Sequence, residues 1–155
     1  MLKYVDTLVS FQEIPDEISL CINISNCPNE CVGCHSAYLK ENIGTPLTYD
    51  ELHELILKNK GISCVTFLGG DSDPAYINSL AMLVRVSYQD LKVAWYSGKS
   101  EISEDVDIRN FDYIKIGPYV EHLGPLTSKT TNQCLYKVYH NTEDTLVNIT
   151  YKFQK

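Results

Sequence analysis

Cys64-Val65-Thr66-Phe67-Leu68-Gly69-Gly70-Asp71-Ser72-Asp73-Pro74 carries, in one short run, the signals of a strand, a turn and a helix start. An apolar, β-branched stretch stopped by a glycine pair reads as a buried strand and the turn that follows it. Asp73-Pro74 reads as an N-cap followed by proline at the first helical position, where the missing N–H costs nothing. Ile77, Leu80, Ala81 and Val84 then recur at helical spacing and form one apolar face. The same alternation extends in both directions. Upstream, Thr48-Tyr49-Asp50-Glu51 fits a capping box with Leu47 and Leu52 as a hydrophobic staple. Leu52, Leu55 and Ile56 continue that helix, and Gly61 ends it. Before it, Ile18, Leu20, Ile22 and Ile24 alternate with Ser19, Cys21, Asn23 and Ser25, the period of a half-buried strand. An earlier strand is expected from Tyr4 to Phe11, with Pro15-Asp16 as the turn between the two. Downstream, Leu91, Val93 and Trp95 alternate in a strand that ends at Ser97-Gly98, and Phe111 to Ile116 gives the next. Strands separated by helices imply an α/β fold with mainly parallel strands. Leu135–Tyr139 and Leu146–Phe153 read as a C-terminal hairpin around Asn141-Thr142-Glu143-Asp144.

The bulk properties fit a single domain over residues 1–155. Hydrophobic residues make up 44% and charged residues 21%, an ordinary globular balance. No apolar run approaches the roughly 20 residues that span a bilayer. Met1-Leu2-Lys3-Tyr4-Val5-Asp6 lacks the charged start and apolar run of a signal peptide, so a cytoplasmic location and no membrane contact are expected. The net charge of −7, without a Lys/Arg cluster, argues against nucleic acid as a partner. Six cysteines without a secretory signal do not read as a disulfide framework.

Three of those cysteines stand in Cys27-Pro28-Asn29-Glu30-Cys31-Val32-Gly33-Cys34, a C-x3-C-x2-C array directly after a strand. That places it at the strand's C-terminal end, the edge where parallel α/β sheets gather their chemistry. Thiolates so close in sequence can face one soft metal centre. A [4Fe–4S] cluster has four irons, so three local cysteines leave one iron open for a ligand. A zinc site with His35 as fourth ligand and three unrelated core cysteines are the competing readings. Structural zinc cysteines usually come as two pairs, and the chain has no second pair. A segment with Pro28, Asn29, Glu30 and Gly33 is a poor piece of core. Cys64, mid-strand, reads as core, and Cys21 and Cys134 as structural.

This array resembles the signature of radical S-adenosylmethionine enzymes. In that family the open iron binds the amino and carboxylate groups of S-adenosylmethionine, and the reduced cluster cleaves the sulfonium to methionine and a 5′-deoxyadenosyl radical. Gly69-Gly70-Asp71 is similar to the family's Gly-Gly-Glu/Asp motif, which holds the amino group. Two glycines admit close backbone approach and a carboxylate pairs with an ammonium. Ser97-Gly98 resembles a further cofactor contact. Many members carry an aromatic residue before the third cysteine, where this chain has Gly33. Glycine there resembles the glycyl-radical-activating subgroup, and specifically the family of activating proteins of the anaerobic, class III ribonucleotide reductase. Cys34-His35-Ser36, Gly44-Thr45-Pro46-Leu47, Tyr113-Ile114-Lys115-Ile116-Gly117-Pro118-Tyr119 and Thr131-Asn132-Gln133 follow that family's pattern, so the likeness covers almost the whole chain.

The resemblance implies a short, open partial (βα) barrel of about four units. It implies a [4Fe–4S] cluster with one open iron on Cys27, Cys31 and Cys34, and S-adenosylmethionine lined by Gly33, His35, Gly69, Gly70, Asp71, Ser97 and Gly98. The implied partners are the large subunit of the anaerobic reductase and an external one-electron reductant such as flavodoxin or ferredoxin, with a homodimer left open. His53 is expected on the surface, His122 and His140 in polar contexts without ligand spacing, and Trp95 in the core. Asn132-Gln133 reads as a turn from its residues, and only the family likeness points to a role near partner or cofactor.

Overall fold

The computed structural model describes residues 1–27, 41–141 and 143–154. Among them are eight strands and two α-helices: β1 (Lys3–Ser10), β2 (Ser19–Ile24), β3 (Thr45–Pro46), α1 (Tyr49–Lys58), β4 (Cys64–Leu68), α2 (Pro74–Ser87), β5 (Lys92–Tyr96), β6 (Tyr113–Ile116), β7 (Cys134–Tyr139) and β8 (Thr145–Asn148). All strands belong to one sheet in the order β3-β1-β2-β4-β5-β6-β7-β8. The centre, β2-β4-β5-β6, is parallel. Both flanks are antiparallel. The expectation of mainly parallel strands is therefore corrected: parallel pairing is confined to the centre, because β1 and β7 each return directly beside a neighbour.

The helix caps formed as their residues dictate. The Thr48 side chain accepts from the Glu51 N–H at 3.1 Å. The Glu51 carboxylate accepts from the Tyr4 hydroxyl at 2.6 Å, so the second arm of the expected box ties α1 to β1. The Asp73 side chain accepts from the Tyr76 N–H, with Pro74 in the first turn of α2. Helix α1 ends at Lys58, and Asn59 caps it by donating from Nδ2 to the Leu55 carbonyl, two residues earlier than Gly61. The run from Ser97 to Phe111 holds no α-helix. It has only a 3-10 turn at Ile108–Asn110, capped by Asp107, because its scattered apolar residues make no helical stripe. The described chain thus has fewer βα units than the four expected. The last strand is also shorter than expected. Asn148 Oδ1 accepts from the Thr150 N–H at 2.9 Å and turns the chain into a 3-10 segment, Thr150–Phe153.

The two faces of the sheet differ. Leu20, Ile22, Ile24, Val65, Phe67, Val93, Trp95 and Ile114 pack with Leu52, Leu55, Ile56, Ile77, Leu80, Ala81 and Val84 of the two helices. The opposite face carries Cys64, Ala94, Tyr113 and Leu135, covered by Ile14, Ile149 and Phe153 rather than by a described α-helix. Ile14 belongs to the β1–β2 connection, which the sheet grips through side chains. The Tyr96 hydroxyl donates to the Glu13 carbonyl, and the Glu17 carboxylate accepts from Ser63 Oγ at 2.8 Å and from the Tyr113 hydroxyl at 2.7 Å. Among the described residues no helix is long and apolar enough to cross a membrane.

Parallel strands in register bring their C-terminal ends to one edge. Asn23 pairs with Leu68, Leu68 with Tyr96, and Tyr96 with Lys115. Cys27, Gly69, Ser97 and Gly117 follow these strands and so lie in sequence along that edge.

Candidate cluster and cofactor site

The site begins where β2 ends. The Asn26 N–H donates to the Glu41 carbonyl at 2.9 Å, and Asn26 adopts a left-handed conformation with φ 59°. This bond joins the described residues on either side of the segment that carries Cys31 and Cys34. Cys27 is half-buried. Cys31, Gly33, Cys34 and His35 lie outside the described residues. Among the described residues no group of three or more His, Cys, Asp or Glu side chains is placed to hold a metal ion.

The glycine pair after β4 is shaped by two close approaches. Gly69 has φ 106°, and a Cβ there would stand 3.1 Å from the Ile24 carbonyl oxygen. The turn therefore presses on the backbone that leads into Cys27. Gly70 has φ 97°, and a Cβ there would meet Ile77 Cδ1 at 2.5 Å, so the turn also packs flush onto α2. Side-chain-bearing residues are strained at such φ values. The Gly69 N–H donates to the Tyr96 carbonyl at 3.1 Å, and its own carbonyl accepts from Trp95 Nε1 at 2.7 Å. Trp95 is thus both a core residue and a brace of this turn. Its apolar spacing revealed only the first role.

Asp71 follows the pair and is only 8% exposed. Its Oδ1 accepts from Ser97 Oγ at 2.6 Å, and its Oδ2 accepts from the Gly98 N–H at 2.8 Å. Ser97 Oγ in turn accepts from the Lys99 N–H at 3.1 Å. Gly69, Gly70, Asp71, Ser97 and Gly98, picked from two separate stretches of sequence, are therefore brought together. Ser97 and Gly98 orient the Asp71 carboxylate, a more specific part than lining a site.

Two of the histidines set aside earlier, His53 and His140, are held by specific partners. His53 is half-buried, with Nδ1 2.8 Å from the Tyr88 hydroxyl, rather than a surface side chain. His140 Nε2 lies 3.1 Å from Asp112 Oδ1, and Nδ1 lies 3.3 Å from Asp144 Oδ1. Asp112 also accepts from Arg85 at 3.0 Å and from the Val93 N–H at 2.9 Å. These groups sit at the start of β5 and β6, the sheet edge opposite Asp71, and nothing in their spacing along the chain announced them.

The surroundings of two other thiols disfavour the thiolate form. Cys21 and Cys64 are fully buried in the sheet. Burial pushes each thiol up to about 12. The thiolate is the nucleophile, so at pH 8 only about one molecule in ten thousand would be reactive at either position. Native protein exposed to iodoacetamide at pH 8 is expected to leave both unmodified, with reactivity appearing only as the pH climbs toward 12. Peptide mass spectrometry checks this, and prompt labelling of Cys64 at pH 8 would contradict it.

The family model of the 4Fe-4S single cluster domain matches residues 18–135 of the chain. That span runs from the residue before β2 to the second residue of β7 and contains the cysteine array, Gly69-Gly70-Asp71 and Ser97-Gly98. The curated proteins and the solved structures return no match.

Proposed function

The chain belongs to the family of 4Fe-4S single cluster domains, and on that premise we propose that it is a radical S-adenosylmethionine activase that generates a glycyl radical on the anaerobic ribonucleotide reductase. The observation that carries this reading is the Asp71 carboxylate, fixed by Ser97 and Gly98 in a turn that presses on the chain entering Cys27. An iron–sulfur electron carrier has no evident need for an oriented carboxylate beside its cluster loop. A cofactor whose ammonium must sit against an open iron does.

The residues present fit both groups. Cys27, Cys31 and Cys34 supply three soft thiolates, the donor type iron–sulfur clusters take. Asp71 supplies a charged acceptor for an ammonium, and the missing Cβ of Gly69 lets its turn lie against the Ile24 carbonyl on the strand that leads to Cys27. Gly33 and His35 complete the cofactor-lining set on the strength of the resemblance. When bound, the reduced cluster and S-adenosylmethionine supply an electron and a sulfonium whose cleavage yields methionine and a 5′-deoxyadenosyl radical. The protein's own task is to position and to exclude water. Gly69 and Gly70 set the turn, Trp95 braces it, and Ser97 and Gly98 hold the Asp71 carboxylate in one orientation.

The reading takes the eight-stranded sheet as a short, open partial barrel in a single domain, with a protein as its substrate. In this reading the partner surface closes the strand-end edge that carries Asp71, Ser97 and Gly98, and brings a C–H bond into contact there. A backbone glycine suits the role, because its α-radical is stabilised by the flanking amides. The partners in this reading are the large subunit of the reductase and a flavodoxin- or ferredoxin-like reductant, in the cytoplasm, with a homodimer left open. The test mixes reduced protein, S-adenosylmethionine and the reductase from the same source without oxygen. A glycyl-radical doublet in the electron paramagnetic resonance spectrum is expected, together with 5′-deoxyadenosine. Formation of 5′-deoxyadenosine only with a small metabolite, while the reductase stays silent and unbound, would overturn the reading.

A further inference from the structure

Along the sheet edge, three turns are accounted for by the cysteine loop, Gly69-Gly70-Asp71 and Ser97-Gly98. A fourth, Gly117-Pro118 after β6, continues the same line. The Ser97 N–H donates to the Lys115 carbonyl at 2.9 Å, and the Gly117 N–H donates to the Lys99 carbonyl at 2.6 Å, so the third and fourth turns are laced together. Strands lie about 4.8 Å apart, which puts the end of β6 roughly 10 Å from the end of β4. That is the scale of an amino acid joined to a nucleoside. A ligand anchored by its ammonium at Asp71 and lying along the edge would bring its nucleoside end to the Gly117-Pro118 turn.

What holds this fourth turn is unusual. Gly117 has φ 106°, and a Cβ there would stand 3.0 Å from Gln133 Cα and 3.1 Å from the Asn132 carbonyl oxygen. The backbone entering β7 therefore lies directly against the turn. Both side chains of that segment then reach back to it. Gln133 Nε2 donates to the Gly117 carbonyl at 3.4 Å, and Asn132 Nδ2 donates to the Pro118 carbonyl at 3.0 Å. Gln133 is 6% exposed, so an amide has been taken out of water to make this contact. The Thr131 hydroxyl accepts from the Gln133 N–H at 3.0 Å and fixes the segment from its other side. An ordinary turn at the start of a hairpin strand needs none of this. A peptide pair whose orientation matters does, because fixing consecutive carbonyls fixes the peptide planes that carry them.

We propose that Asn132 and Gln133 are positioning residues of the cofactor site, holding the Gly117-Pro118 turn so that it receives the nucleoside end of S-adenosylmethionine. The proposal rests on the activase reading. It gives Thr131-Asn132-Gln133 a part that its residue types alone did not reveal.

The experiment uses the anaerobically reconstituted full chain and two probes, S-adenosylmethionine and methionine. Methionine carries the ammonium and carboxylate but has no nucleoside. Binding is read as the perturbation of the reduced cluster's paramagnetic resonance signal on titration, with iron content and thermal midpoint measured beside it. Gln133→Leu keeps the volume and removes the donor, and Asn132→Ala, at an exposed position, removes the second donor without disturbing the core. Each is expected to bind S-adenosylmethionine about tenfold more weakly, as for loss of one orienting hydrogen bond, with methionine affinity and iron content unchanged. Asn132→Gln, which restores an amide, is expected to recover part of the loss. Equal weakening of both probes, or unchanged affinity for S-adenosylmethionine in both variants, would overturn the proposal while leaving the activase reading intact. If the unsubstituted protein carries its cluster and binds neither probe, the activase reading itself fails. If Gln133→Leu does not fold, Asn132→Ala decides.

Discussion

Anaerobically prepared protein in which Cys27 is replaced by alanine is expected to hold no [4Fe–4S] cluster, and the same holds for Cys31→Ala and Cys34→Ala. The expectation follows from ligand count. A site built on three protein thiolates has none to spare, and loss of one leaves two irons without protein ligands, which a labile cluster does not survive. Cys27 lies at the sheet edge, where the Asn26–Glu41 bond joins the described residues on either side of the segment that carries the other two. Cys64→Ala is the matched control. That thiol is fully buried, in contact with Thr66 Oγ1 at 3.6 Å, and pushed up to about 12. Its loss is expected to cost about 1 kcal/mol of stability and to leave iron and sulfide content at the level of the unsubstituted protein. Iron and acid-labile sulfide assays decide the matter. If Cys64→Ala emptied the protein as thoroughly as Cys27→Ala, the cluster would have a fourth protein ligand, and with it the case for an open iron would go.

The contrast between these cysteines also shows what a sequence discloses and what it hides. Local patterns were legible. The run from Cys64 to Pro74 gives a strand, a turn and a capped helix because every signal in it acts within a few residues: the N-cap, the proline, the glycines and the 3.6-residue spacing. The same is true of Thr48 and its bond to Glu51. The order of strands was only half legible, because hairpin returns are local and sheet neighbours are not. The tail hairpin was expected, yet its pairing with β6, which makes that flank antiparallel, depends on contacts between distant segments. Where Asn148 ends β8, the cause is one side-chain bond that competes with the ladder, a feature no periodicity carries. The site divides in the same way. Gly69-Gly70-Asp71 and Ser97-Gly98 were each visible as turns. Their meeting through two hydrogen bonds, and the Trp95 brace beneath them, required the fold. The Arg85–Asp112–His140 group gave no signal at all, since its members come from three separate stretches of chain and are ordinary surface residue types in isolation.

Asp71→Ala is expected to retain the cluster and to lose most of its affinity for S-adenosylmethionine, about 100-fold, as for removal of one partner of a partly desolvated charge pair. The carboxylate is positioned for this by geometry that the substitution also exposes to test. Ser97 Oγ and the Gly98 N–H both donate to it from the end of β5, and alanine leaves those two donors without an acceptor at a site that is 8% exposed. A stability cost of about 1–3 kcal/mol is therefore expected alongside the loss of affinity. Two further variants separate the effects. Asp71→Asn keeps an acceptor for one donor and removes the charge, so it should recover stability and not affinity. Ser97→Ala keeps the charge and frees one oxygen of its anchor, so it should weaken binding only about five- to tenfold. Titrating each reconstituted variant with S-adenosylmethionine while following the cluster's paramagnetic resonance, next to iron content and thermal midpoint, gives all three quantities on one sample. The ranking is the test. An ammonium partner demands that Asp71→Asn bind as poorly as Asp71→Ala, whereas a purely structural carboxylate demands that affinity follow the thermal midpoint across the series. Loss of iron from Asp71→Ala with affinity otherwise unchanged would make this carboxylate a support of the cluster loop, pressing through Gly69 on the chain that enters Cys27, and would remove the ammonium site from the sheet edge.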